Sequence, residues 1–186
     1  AVGVVERERV VDGSKARPGD VVLGIASTGL QSSGFSLVRR ICFDKAKLSV
    51  DAHIGELGRT LAEELLEPTG IYAKAILDVL EACEVHGVAN ISGGGLPENL
   101  PRAVRDGLSL EVKLGSWPVP RVFTWLQELG RVPEEEMYRT FNMGVGMALV
   151  LPEEACAEAV RRLAGHGWNA WPIGRVVEGE GGVRFT

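Results

Sequence analysis

The stretch Val21–Gly34, VVLGIASTGLQSSG, sets an apolar run directly against a polar loop that closes on glycine. Val21 to Ser27 has the length of a strand, and its continuous apolar character predicts burial on both faces. TGLQSSG is a Gly-bounded loop, and FSLVRRICF after it places Leu37, Val38 and Ile41 on one helical face. Upstream, DGSKARPGD (Asp12–Asp20) is rich in turn residues, and the loosely alternating Val2–Val11 predicts an extended lead-in.

The same alternation of short strands and helices continues downstream. Leu57, Leu61 and Leu65 recur at helical spacing up to Pro68, and a second helix carries Ile71, Ala75, Ile76, Val79 and Leu80. Val85–Ile91 predicts a strand that runs into three glycines. Pro97 then suits the first turn of a helix that Pro101 keeps short. Leu108–Leu114 alternates as a half-exposed strand does. Helices are expected over Val122–Leu129, closed by Gly130, over Pro133–Thr140 and over Glu153–Ala164, with a strand at Val145–Leu151. The end, WPIGRVVEGEGGVRF, predicts a hairpin turning at Gly179–Gly182. The class is α/β (α+β), with one mixed β-sheet and helices packed on it. At 186 residues a single core is expected, with residues 1–20 as a linker and 21–186 as the domain.

Composition narrows the function. A net charge of -5 argues against a nucleic-acid partner, because phosphate-backbone binding needs a basic face. No apolar run reaches the length of a membrane span and no signal-peptide pattern opens the chain, so a cytoplasmic location is expected, with no membrane partner. The initial Ala in place of Met is read as a sign of a processed product or a piece of a longer chain. Cys42, Cys83 and Cys156 are widely spaced and His53, His86 and His166 are scattered, so neither a disulfide framework nor a metal-ligand pattern is indicated. His86 reads as structural, Glu98 as a first-turn acid, and Trp117 as either a packing residue or a stacking platform.

Three loops share one design: Ser27–Gly34 (STGLQSSG), Ser92–Asn99 (SGGGLPEN) and Phe141–Gly146 (FNMGVG). Glycines allow successive backbone N–H groups to converge, and a following helix N-terminus adds partial positive charge, which together suit a phosphate. The same loops also serve simply to turn the chain. Neither the Walker A pattern nor the Rossmann G-x-G-x-x-G is present.

With these loops in view, the chain resembles the C-terminal half of the phosphoribosylformylglycinamidine cyclo-ligase (AIR synthetase) family. The resemblance rests on an ordered series: VVDGSK, GDVVLGIASTGLQSSGFSLVRRI, LLEPTGIYAK, VHGVANISGGGLPENLPR, VFTWLQELGRVPEEEMYRTFNMGVGMALVLP and NAWPIGRV, of which EMYRTFNMGVGM is the most specific. It implies an ATP-dependent ring closure of formylglycinamidine ribonucleotide to the aminoimidazole, with ADP and phosphate released. It also implies a separate N-terminal half that carries much of the ATP and Mg²⁺ site and forms a homodimer. Gln31, Ser32, Ser33 and Gly34, then Ser92, Gly93, Gly94, Gly95 and Asn99, then Asn142 and Gly144, are implied to line a cleft for a phosphorylated substrate and nucleotide. No metal ligand is implied within this chain. Four positions depart from the family pattern: Gln31 and Asn90 stand where His is usual, Ser33 replaces Asn, and Gly70 replaces Arg or Lys. An amide at position 31 orients and hydrogen-bonds but has no useful pKa, so no catalytic acid or base is assigned there. Two alternatives stay open: another ATP-dependent member of the superfamily (formylglycinamidine ribonucleotide synthetase or a selenophosphate synthetase-like protein), and a non-catalytic phosphate-binding or assembly module.

Overall fold

A computed structural model describes residues 2–186. In chain order its elements are β1 (Val21–Ala26), α1 (Phe35–Arg39), β2 (His53–Ile54), β3 (Arg59–Thr60), α2 (Leu61–Leu65), α3 (Ala73–Ala82), β4 (Gly87–Asn90), α4 (Gly95–Asn99), β5 (Leu108–Val112), α5 (Arg121–Gly130), α6 (Glu134–Thr140), β6 (Val145–Leu151), α7 (Glu153–Gly165), β7 (Ala170–Glu178) and β8 (Val183–Phe185). Six strands form one mixed sheet in the order β4-β6-β1-β7-β5-β8, and β2 and β3 pair as a separate ribbon. The α/β class and the helix-covered mixed sheet are as expected.

β1 is buried along its length because it lies between two layers. Val21, Leu23 and Ile25 pack with Leu149 and Leu151 of β6 under α3 and α7. Val22 faces the opposite layer with Ala148, Val150 and Ile173. Gly24 leaves room in that second layer, since a Cβ there would lie 3.0 Å from Ile173 Cγ2 and 3.2 Å from Val145 Cγ1. Among the described residues no helix is long and apolar enough to cross a membrane.

Several local expectations are corrected. The last two strands do not form a hairpin: β5 pairs antiparallel with β7 (Leu108↔Glu178), and β8 pairs parallel with the far edge of β5 (Leu110↔Val183). The glycine turn instead carries the chain across the end of β5, where the Ser109 hydroxyl bonds Gly181 through both its N–H and its C=O. Leu57 belongs to the β2–β3 turn rather than to a helix, and α2 starts only after Thr60, which forms a reciprocal capping box with Glu63. After α1 the chain widens into a π-helical turn over Arg40–Lys45. Gly130 stays inside α5, where Ile41 packs against it, and Arg131 takes the left-handed position at φ 53°. The lead-in segment forms one 3-10 turn at Arg7–Arg9 instead of remaining extended.

Asp20 ends the opening loop as a buried group. Its Oδ2 lies 2.6 Å from His86 Nδ1 and accepts the Arg17 amide at 3.0 Å, while both side chains are 2% exposed. Gly13 N–H donates to the His86 carbonyl, so two contacts fasten this loop to the start of β4. Asp20→Ala removes one member of a buried pair and is expected to cost about 3 kcal/mol of unfolding free energy, read as a lower urea midpoint at unchanged m value.

Candidate functional site

Antiparallel pairing of β6 with both β1 and β4 brings the end of β1, the end of β4 and the start of β6 to one end of the sheet. All three glycine loops therefore meet there. Ser27 N–H donates to the Gly144 carbonyl at 2.9 Å, and Ile91 N–H donates to the Gly146 carbonyl at 3.0 Å.

The two asparagines hold the loops together. Asn142 is fully buried; its Nδ2 donates to the carbonyls of Gly29 (2.8 Å) and Leu30 (3.3 Å), and its Oδ1 accepts Gly144 N–H at 2.8 Å. Asn99, 1% exposed, donates from Nδ2 to the carbonyls of Ser92, Gly93 and Gly95, closing the triple-glycine turn from within. Both amides are thus committed to backbone groups. Gly95 has φ 57°, and a Cβ there would overlap the Tyr138 carbonyl; Gly34 has φ 78°, and a Cβ would run into the Phe141 ring. Both positions combine a left-handed backbone with close approach, which only glycine satisfies. Gly93 and Ser32 are exposed, Gln31 and Ser92 partly so, and Ser33 is buried. α4 spans only five residues, so its dipole is small and an anion at this turn would depend on the backbone N–H groups themselves.

Gln31 adopts φ 55° and Met143 φ 50°, so two of the non-glycine residues in the left-handed region belong to these loops. Each costs on the order of 1 kcal/mol and is sustained by its neighbours. Met143 is fixed by Trp117, whose Nε1 donates to its carbonyl at 2.9 Å; that indole is buried and lies edge-on to Tyr138, so it packs rather than stacks on a ligand. Gln31 Nε2 donates to the Tyr72 hydroxyl at 2.6 Å, which in turn donates to the Ala26 carbonyl at 2.9 Å. Burial pushes the Tyr72 pKa up, with the Gln31 hydrogen bond opposing, so the phenol stays neutral and keeps its proton. The Tyr72 ring rests on Trp168 at a centroid distance of 4.3 Å, and a Cβ on Gly146 would overlap its hydroxyl.

Sequence places Gly146 at the end of the Phe141–Gly146 loop but gives no role to Tyr72. Tyr72 lies 41 residues from Gln31, and no local pattern links the two. Gly70 also gains a reason: any side chain there would collide with Trp168. Asn90 is exposed at the end of edge strand β4. The Ser27 hydroxyl, beside these loops, is buried without a hydrogen-bond partner among the described residues. The adjacent groove, of about 320 Å³, reaches from Ser27 and Gly29 to Arg59 and Arg121. Arg59 is already bonded to Glu64 and Glu67, and Arg121 to Glu128, so neither offers a free charge. Among the described residues no three His, Cys, Asp or Glu side chains cluster to hold a metal.

A family model described as AIR synthase related protein, C-terminal domain, matches residues 17–185. The chain belongs to that family. The phosphoribosylformylglycinamidine cyclo-ligase of Pseudothermotoga lettingae is 51% identical over 183 residues, which cover 98% of this chain and 53% of the relative. The enzyme of the same name from Bacillus subtilis is 45% identical over 97% of this chain and 52% of its own length. The chain thus spans about half the length of the curated relatives it matches, and the family resemblance read from its motifs is borne out. Thiamine-monophosphate kinase from Stenotrophomonas maltophilia shares the fold, with a TM-score of 0.67 at 17% identity over 97% of this chain and 54% of that one.

Asn142 tests how these three loops are held. Asn142→Asp keeps the shape but replaces the donor facing Gly29 and Leu30 with a third acceptor. It is expected to lose about 2 kcal/mol or more, measured by denaturant unfolding, with Asn142→Gln failing to restore it.

Proposed function

We propose that this chain is the C-terminal domain of a full-length phosphoribosylformylglycinamidine cyclo-ligase, an ATP-dependent enzyme of purine biosynthesis in the cytoplasm. The observation that carries the reading is 51% identity to an enzyme of that name across 98% of the chain. In the proposed reaction ATP activates the formyl oxygen of formylglycinamidine ribonucleotide, a nitrogen of the same molecule closes the imidazole ring, and ADP and phosphate leave.

This domain supplies one wall of the cleft. Residues 21–186 form that wall and residues 1–20 lead in from the N-terminal half, which contributes much of the ATP site and the homodimer contact. Ser32, Ser92 and the backbone of Gly93 offer donors at the loop cluster for phosphate oxygens, with Ser33, Gly34, Gly94 and Gly95 shaping the turns. Asn99, Asn142 and Gly144 act through the backbone they hold. The donor set does not fit a Mg²⁺ site within this chain, so the ion would be carried by ATP phosphates and the other half.

The domain joined to its N-terminal half is expected to release ADP when given ATP and formylglycinamidine ribonucleotide, and the 186-residue chain alone to release none. Turnover by the isolated chain would refute the division of labour, and a joined protein that folds but stays inactive would refute the cyclo-ligase reading.

A further inference from the structure

The polarity of one hydrogen-bond string determines what Gln31 can offer a ligand. The Ala26 carbonyl accepts only, so the Tyr72 hydroxyl at 2.9 Å must give it the phenolic proton. That hydroxyl can then only accept from Gln31 at 2.6 Å, which fixes the amide with its NH₂ toward Tyr72. Oε1 is left on the other side, bonded to no described residue, on a side chain that is partly exposed, and it is not sealed from solvent.

The backbone is fixed as firmly as the side chain. Asn142 holds the carbonyls of Gly29 and Leu30 just before Gln31, Phe141 packs against Gly34 just after it, and Gln31 itself is in the left-handed region. Tyr72 is held by Trp168 on one side and by Gly146, where no side chain fits, on the other.

We propose that Gln31 is a specificity-determining residue that presents Oε1 as a fixed, uncharged acceptor to an N–H donor of the substrate, an amidine or amide nitrogen, and that Tyr72 is its positioning residue. The proposal rests on the cyclo-ligase reading for the identity of that substrate. An oxygen lone pair held in this way repels a phosphate oxygen, so the phosphate belongs at the serines and the triple-glycine turn while Gln31 takes the nitrogen end. The acceptor carries no titratable proton, so it works unchanged across the physiological pH range.

Replacing the amide by an imidazole separates this role from a structural one. In Gln31→His one ring N–H can donate to Tyr72, and the other nitrogen is an acceptor only while the ring is neutral; as pH falls below about 6.5 the ring gains a proton and that nitrogen becomes a donor. In the full-length enzyme the KM for formylglycinamidine ribonucleotide should match wild type at pH 8 and rise about tenfold above it by pH 5.5, with kcat changed little. Gln31→Met should raise KM about tenfold at every pH. Tyr72→Phe, which keeps the ring on Trp168 but frees the amide to turn, should raise KM several-fold without lowering kcat. Thermal unfolding of each variant separates these effects from loss of fold.

A second arm uses no turnover. In the 186-residue chain, the side-chain amide resonance of Gln31 should shift on addition of acetamidine and not of acetate. A wild-type KM in Gln31→Met, tighter binding by Gln31→His at pH 5.5, or an unmoved amide resonance with acetamidine would overturn the proposal. An inactive full-length enzyme whose Gln31 resonance still responds to acetamidine would overturn the cyclo-ligase reading and leave the acceptor standing.

Discussion

β6 is hydrogen-bonded along both edges, to β1 from Val21↔Leu151 to Ala26↔Val145 and to β4 from Gly87↔Val150 to Asn90↔Met147. Because both pairings are antiparallel, the loops that leave β1 and β4 and the loop that enters β6 must emerge side by side. Everything proposed for the site depends on that constraint. It places the Gln31 loop within reach of Asn142, 111 positions away in sequence, and the triple glycine against Tyr138 and Phe141. The pairing is kept in register by burial on both faces, since a one-residue slip would exchange the residues packed under α3 and α7 for those of the opposite layer.

Features set by local chemistry were legible in the sequence. The run Val21–Ala26 is a doubly buried strand because its residues are apolar without alternation, and β5 alternates because only one of its faces is buried. The pairing of the last strands departs from the expected hairpin for the opposite reason. GEGG is a strong local turn signal, but β5 occupies the edge of β7 and leaves β8 only the far side of β5. Strand order of this kind is decided by pairing between residues about 70 apart, which no window of sequence contains. Leu57 likewise falls outside the expected helix, since its helical spacing from Leu61 competes with the Gly55–Gly58 turn, where Gly58 takes φ 68°.

The site was legible as three loops and not as a set of contacts. The family resemblance implies Asn99 and Asn142 as cleft residues, and the structure shows both amides turned inward to the backbone. Tyr72 lies within the motif LLEPTGIYAK, but no local pattern gives it a role, because its part is played through a hydroxyl that meets Gln31 and Ala26 only after β1 and α3 have packed. Asp20 reads as an ordinary turn residue, yet its carboxylate is buried against His86, and a hydrophilic turn motif carries no mark of burial.

The loop cluster proposed as a cleft wall is braced by contacts within the fold itself. Gln31 and Met143 hold left-handed backbones that would relax if Asn142, Tyr72 and Trp117 did not oppose it, so the strain is carried by the fold rather than by binding. Groups fixed beforehand lose little freedom on association, and more of each contact's free energy then appears as affinity. The fixed groups also divide by polarity: the exposed glycine turn can offer N–H donors suited to anions, and the Gln31 oxygen offers an acceptor suited to N–H. A ligand with an anionic end and a nitrogen-rich end can satisfy both in only one direction, so under the proposed reading these loops orient the substrate even though position 31 carries no group able to act as a catalytic base.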